Sequence, residues 1–146
     1  MTLRDTTAPD QTHALAFEFD LPHPPEKVWR ALTTPELLAE WLLPVIGWDT
    51  QPGTAFTFKT QPYPGWDGTV NCRLLDYEPH TRLRYAWTVP MLDTEVSFTL
   101  TPTATGTHVL LVQSGFREDQ KQNWGGARYG WKMMGGKLVA LLDAQP

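Results

Sequence analysis

The chain has 146 residues, which is about one domain with a sizeable hydrophobic core, and 41% of them are apolar while 19% are charged. A net charge of −4, with Lys and Arg scattered singly, argues against a polyanionic partner such as nucleic acid. No segment reaches the ~18 consecutive apolar residues of a bilayer-spanning helix, and no apolar signal-peptide core is visible. We therefore expect a cytoplasmic domain that binds neither nucleic acid nor membrane.

The polarity pattern separates a short tail from the rest of the chain. Residues 1–11 are polar and predict a flexible tail ahead of a single domain over 12–146. The domain opens with an alternation that places Leu15, Phe17 and Phe19 on one face. This alternation predicts a half-buried strand.

Two short helices and five more strands are predicted next. Pro25 suits the first turn of one helix, where a missing N–H costs little, and Thr34 is a favourable N-cap for the other. Five later segments alternate with period two: 54–59, 66–77, 82–88, 95–101 and 107–116. In the last, Leu110 and Val112 are apolar on the face opposite Val109. That fits a twisted sheet, a central strand or a dimer surface.

The final segment, about 120–143, has the period of a helix, because Trp124, Trp131 and Leu138 belong to an apolar series spaced by three or four residues. Five glycines interrupt it, and each costs about 1 kcal/mol relative to Ala in a helix interior. They are Gly125, Gly126, Gly130, Gly135 and Gly136. Close contact between helix and sheet explains them, and so does space left beneath the helix for a ligand.

The order of elements predicts an α+β fold. One antiparallel sheet of six strands with a long helix laid across it is the economical packing.

Several motifs give the chain a family resemblance. They lie at 17–20, 25–33, 35–41, 68–70, 78–87, 106–107, 113–116 and 129–131. Among them are Glu78-Pro79, Gly115-Phe116 and Tyr129-Gly130-Trp131. In this order and spacing they resemble START-like (SRPBCC) proteins of the Hsp90 ATPase activator homologue 1-like, or CalC-like, family.

The resemblance implies a helix-grip architecture in which the long helix and a curved sheet enclose a cavity. It leaves the function open, because the family includes cyclases, stress proteins and resistance proteins. The resemblance covers only the cavity domain, and we expect no second domain of the kind with which the eukaryotic activator grips its partner.

Catalytic and metal-binding patterns are not recognised. Ser97 and Ser114 do not lie in a Gly-x-Ser-x-Gly motif, and Cys72, the only cysteine, is predicted to be an inert thiol inside a strand. The four histidines are far apart in the sequence, without metal-ligand spacing. We therefore predict no metal site and no cofactor.

Aromatic residues supply the candidate binding site, because they come from every element expected to surround the cavity. The predicted ligand-binding residues are Trp41, Trp48, Phe58, Trp66, Tyr85, Trp87, Phe98, Gln113, Trp124, Tyr129, Trp131 and Met133. The alternative is that these side chains simply fill a closed core.

Three functions follow from these observations. The first is a protein that binds a hydrophobic or aromatic small molecule, with Tyr85, Gln113 and the indole N–H groups as polar anchors. The second is an enzyme of the polyketide cyclase or hydrolase type, in which Tyr85 or Gln113 polarises a substrate. The third is a protein that binds an Hsp90-type chaperone through its surface. A homodimer through exposed strand surface fits each of them.

Overall fold

The computed structural model describes residues 3–8, 13–62 and 64–145. Its strands are β1 Arg4–Asp5, β2 Ala14–Leu21, β3 Val45–Ile46, β4 Ala55–Lys59, β5 Thr69–Glu78, β6 Arg82–Val89, β7 Leu92–Thr103 and β8 Gly106–Ser114. Its helices are α1 Pro25–Thr33, α2 Pro35–Trp41 and α3 Lys121–Ala144, and a 3-10 turn, Glu118–Gln120, precedes α3.

All the described strands form one antiparallel sheet in the order β1-β2-β8-β7-β6-β5-β4-β3. Short hairpins join β5 through β8, and β2 reaches β8 across the length of the chain. The turn between β7 and β8 abuts the end of β2, since a Cβ added to Gly106 would lie 2.0 Å from the Leu21 carbonyl oxygen. Only glycine fits this position.

The α+β fold with a large antiparallel sheet and a C-terminal helix is confirmed, but the predicted six strands are eight in the structure. The additional strands, β1 and β3, have two residues each and lie at the two edges of the sheet. Two residues are too few to show a period-two pattern, so no pattern predicted these strands. β1 also falls within the predicted tail, where Arg4 and Asp5 pair with Glu18 and Phe17 of β2.

The two faces of the sheet differ in polarity, as the alternation predicts. In β2 and β8 every second side chain is buried, and the intervening ones are half-buried. Leu110 and Val112 lie on the outer face of β8, which is a central strand between β2 and β7. The inner face packs against the helices and holds the core.

The long helix α3 is anchored mainly through its C-terminal half. Its buried residues are Trp131, Gly135, Leu138 and Leu142. None of the described helices is long and apolar enough to cross a membrane.

The α3 glycines have different surroundings. A Cβ on Gly135 would lie 3.1 Å from a methyl carbon of Leu3 and 3.2 Å from the Phe19 ring. This glycine therefore permits close contact between α3 and β2. A Cβ on Gly125, Gly126 or Gly136 would meet nothing within 4 Å. The explanation by close contact therefore holds at only one of these four positions.

Candidate functional site

Aromatic side chains gather on the inner face of the sheet, where α3 crosses β6 and β7. Period-two alternation turns these side chains of β4, β6 and β7 toward the helix, and Trp131 meets them from α3. We call the following residues the aromatic cluster: Phe56, Phe58, Tyr85, Trp87, Phe98 and Trp131.

The rings of the aromatic cluster touch one another. The centroid of the Tyr85 ring lies 5.4 Å from that of Phe56 and 6.3 Å from that of Phe98. Trp87 lies 5.5 Å from Phe58 and 5.8 Å from Trp131. These are the spacings of edge-to-face and tilted aromatic pairs. Touching rings therefore occupy this region beneath α3.

Two further predicted residues extend the aromatic cluster. The Trp41 ring lies 6.3 Å from Phe98, and its indole N–H donates to the Ala31 carbonyl at 2.8 Å. The Trp48 ring, on the loop before β4, lies 5.0 Å from Phe56. The structure thus brings seven of the predicted site residues into one continuous set of ring contacts.

A buried polar chain fixes Trp131 to the sheet. The Trp131 indole N–H donates to Gln113 Oε1 at 2.7 Å, and Gln113 Nε2 donates to Thr94 Oγ1 at 2.9 Å. The Thr94 hydroxyl donates to the Trp87 carbonyl at 2.8 Å. Gln113 was predicted as a polar anchor, but both functional atoms of its amide are already engaged in the protein.

The Tyr85 hydroxyl differs from these groups. The residue is 1% exposed, and its hydroxyl makes no hydrogen bond to the part of the chain that the structure describes. Burial, with a smaller contribution from neighbouring Cys72, raises the pKa of Tyr85 well above 10. The hydroxyl therefore stays protonated at neutral pH and is a free hydrogen-bond donor among aromatic rings.

Cys72 lies beside the aromatic cluster and is 5% exposed. Burial raises the pKa of its thiol from 9.0 to about 12. A thiol of this kind is protonated at neutral pH, and the thiolate is the nucleophilic form. The expectation of an inert thiol agrees with this burial.

A hollow of about 330 Å³ opens at the rim of the sheet, near the start of α3. Its lining residues are Pro64, Gly65, Trp66, Val89, Pro90 and Asn123. Val89 follows Trp87 by two residues on β6 and so lies on the same face, about 7 Å along the strand. The rim hollow therefore lies next to the aromatic cluster, and the predicted residue Trp66 forms part of its wall.

The remaining predicted residues lie outside the aromatic cluster. Trp124 is half-buried in the first turn of α3, where its indole N–H donates to the Ala14 carbonyl at 3.0 Å. Tyr129 is 71% exposed and Met133 is 50% exposed. Helical spacing alone could not separate the outward side of α3 from the inward one, since apolar residues lie on both.

Two residues of the site were not among the predicted ones. Phe56 shares a strand face with Phe58, and that parity was a usable signal. Thr94 is 4% exposed and shares the parity of Val96 and Phe98, but the predicted strand began one residue after it.

The other described regions contain open hollows but no cluster of metal-ligating residues. Within residues 3–8, 13–62 and 64–145, no group of three or more His, Cys, Asp or Glu residues is placed to hold a metal ion. Two open hollows, of about 580 and 490 Å³, lie on the outer face of the sheet and share Ala86 and Thr88. Small and polar side chains line most of both hollows.

The chain is similar to a known family and to solved structures. Residues 22–143 match the family described as activator of Hsp90 ATPase homolog 1-like protein. Protein MLL2253 from Mesorhizobium loti is 40% identical, with a TM-score of 0.84 over 91% of this chain and 98% of that one. No curated protein matches the sequence.

Two further structures are similar at lower identity. CalU16 from Micromonospora echinospora is 23% identical, with a TM-score of 0.75 over 98% of this chain and 85% of that one. DynU16, described as a putative protein in the dynemicin biosynthetic locus, is 21% identical, with a TM-score of 0.76 over 92% of this chain and 48% of that one. At these identities the likeness concerns the fold alone.

Proposed function

This chain belongs to the activator of Hsp90 ATPase homolog 1-like family, and from that premise we propose that it binds an apolar, planar small molecule against the aromatic cluster. Such a ligand offers a hydrogen-bond acceptor to the Tyr85 hydroxyl and stacks on the rings of Trp87 and Trp131. The family resemblance inferred from the sequence is confirmed, and the ligand is our proposal.

The observation that carries the proposal is the Tyr85 hydroxyl without a partner. No fully enclosed side-chain polar atom among the described residues lacks a hydrogen-bond partner, so the Tyr85 hydroxyl oxygen borders a small accessible space and is not sealed within the core. A largely buried donor beside such a space is normally satisfied by water or by a ligand. The neighbouring polar atoms of Trp131, Gln113 and Thr94 all have partners. A ligand that accepts a hydrogen bond from Tyr85 satisfies this donor, and the surrounding rings supply apolar contact.

The chemistry of the site favours binding over covalent catalysis. The Tyr85 pKa is raised well above 10 and the Cys72 pKa is about 12, so both groups are neutral at pH 7. A neutral hydroxyl donates a hydrogen bond, and a neutral thiol is a poor nucleophile.

Entry of a ligand requires movement, because the rings are in contact. The rim hollow beyond Trp87 is the nearest opening, and the first turns of α3 form one of its walls through Asn123. We propose that the ligand enters there and displaces the Trp87 ring, which is only half-buried.

The test begins with native mass spectrometry of protein purified from its own host, which looks for a retained small molecule. A panel of aromatic and acyl compounds is then titrated by tryptophan fluorescence against wild type, Tyr85→Phe and Trp87→Ala. Tyr77→Phe is the matched control, since Tyr77 packs against Trp29, at 5.3 Å between ring centroids, outside the aromatic cluster.

We expect Tyr85→Phe to weaken binding about tenfold, which is the value of one hydrogen bond, and Trp87→Ala to weaken it further. Tyr77→Phe should bind as the wild type does. If every compound that binds does so equally well to Tyr85→Phe and Trp87→Ala, the proposed site is wrong.

A further inference from the structure

The outward face of α3 presents two large apolar side chains to solvent. Tyr129 is 71% exposed and Met133 is 50% exposed, and they lie one helical turn apart. Helical spacing places Gly126, Gly136 and Ala140 on the same face, and all three are exposed. We call these five residues the outward face; none of them is charged.

Nothing within the described chain explains the two glycines of the outward face. A Cβ on Gly126 or Gly136 would meet no atom within 4 Å, whereas Gly135 is packed against Phe19. Each exposed glycine costs about 1 kcal/mol relative to Ala. Glycine at these two positions lets another backbone approach the helix closely.

Basic side chains border the outward face. Helix α3 holds four of the chain's twelve Lys and Arg residues but only one of its sixteen Asp and Glu residues. Lys121 and Lys132 lie on one border and Lys137 on the other, and all three are exposed. The Lys132 ammonium lies 3.4 Å from Asp5, and no acidic partner among the described residues reaches Lys121 or Lys137.

We propose that the outward face of α3 binds an acidic amphipathic helix of another protein. Apolar residues of that helix pack on Tyr129 and Met133, its backbone approaches at Gly126 and Gly136, and its acidic residues pair with the bordering lysines. Anchors at helical spacing and charge complementarity along the borders are the features by which helices recognise helices.

A second copy of this chain fits the face less well. In an antiparallel two-fold pair of α3 helices each border meets the same border of the second copy, and in a parallel pair it meets the opposite border; both borders carry lysines. Lys121 and Lys132 would then face the second copy's lysines, and like charges at an interface are unfavourable. An acidic partner removes this repulsion.

The first experiment places a photo-crosslinking amino acid at position 129, or at Met91 as a control, in cells of the host. Met91 is 82% exposed and lies on the β6–β7 turn rather than on α3. We expect position 129, and not position 91, to crosslink to one protein through an acidic segment with apolar residues at helical spacing. Crosslinks only to lipid or to a second copy, or none above the Met91 control, would overturn the proposal.

The second experiment measures the affinity of the purified partner for variants. Lys121→Glu with Lys137→Glu should weaken binding at least about tenfold at low salt, and less at high salt. Gly126→Ala with Gly136→Ala should also weaken it, although the helix becomes more stable. Unchanged affinity in both double variants contradicts the proposal. Tyr85→Phe should have no effect, which keeps this test independent of the proposed ligand site.

Discussion

The two halves of α3 are held in different ways, although they form one continuous helix. From Trp131 onward the helix buries side chains in the core, and its C-terminal end is tied to the segment just before α1 by a hydrogen bond between Asp143 and His23 at 3.0 Å. From 121 to 130 no side chain is fully buried: Trp124 and Ala127 pack against the core but stay partly exposed, and polar contacts at the helix edge also hold this half. The main ones are Arg128 to Asp5 and Trp124 to the Ala14 carbonyl.

Helix α3 therefore has a firm half, from Trp131 onward, and an adjustable half, residues 121–130. Core burial is cooperative, whereas contacts at an exposed edge open locally at low free energy. The adjustable half lines the rim hollow through Asn123 and leads directly into Trp131 of the aromatic cluster. In our account this half moves when a ligand enters, while the rest of the helix keeps the domain folded.

The largest expected effect comes from a substitution in the core of the firm half. Leu138 is fully buried, so Leu138→Ala should lower the free energy of unfolding by about 3 kcal/mol, the usual result of a cavity in a core. Urea denaturation measures it, with exposed Lys137→Ala as the control. A loss below about 1 kcal/mol would show that this end of α3 is not anchored by its core contacts.

A second pair of variants compares the two ends through their tryptophans. Trp131→Phe leaves Gln113 Oε1 buried without its donor, and we expect a loss of about 2 kcal/mol. Trp124→Phe removes a hydrogen bond at the half-buried edge and should cost less than about 1 kcal/mol. Equal losses in urea denaturation would contradict the distinction between the halves.

The contact of Asp5 with α3 should make stability depend on pH. Burial alone would raise the pKa of Asp5, but hydrogen bonds from Arg128 and Thr7 outweigh it and lower the pKa from 3.8 to about 2. The carboxylate therefore stabilises the fold above about pH 3.8, and this contribution is lost as the pH falls through about 2.

The contribution of the Asp5 carboxylate to the free energy of unfolding should be about 1 kcal/mol, because solvent screens the charge. Asp5→Asn should remove this contribution at pH 6 and flatten the stability profile between pH 4 and 2, as measured by denaturation at each pH. An unchanged profile would show that the Asp5 contacts do not hold the adjustable half.

The smallest expected effects concern two glycines and differ in sign. Gly126→Ala should raise the free energy of unfolding by about 0.5–1 kcal/mol, because the new methyl group meets open space. Gly135→Ala should lower it, because the methyl group would crowd the Phe19 ring at 3.2 Å. Thermal denaturation compares the two, and the same sign for both would be inconsistent with the structure.

Sequence patterns predicted the main elements well because those elements are long enough to show a period. The helix predicted over about 120–143 lies at Lys121–Ala144, and the alternating strands recur in β2 and in β4 to β8. The edge strands β1 and β3 were missed because pairing with a neighbour, rather than a pattern of their own, creates them.

The candidate site was less predictable, because a hydrogen bond depends on which atoms meet in space. Gln113 and Tyr85 were both expected as free polar anchors, yet only Tyr85 lacks a partner among the described residues. Strand parity predicted most of the aromatic cluster. Tyr129 and Met133 were also predicted to face the ligand, but they are exposed, because helical spacing does not show which side of α3 faces the sheet.

The most direct test of the account measures amide hydrogen exchange along α3 under native conditions, with residues 121–130 compared with residues 138–144. We predict at least about tenfold faster exchange in the first segment, since local opening there exposes only partly buried side chains and no fully buried one. Uniform protection along the helix, with both segments exchanging only on global unfolding, would contradict an adjustable wall over the aromatic cluster.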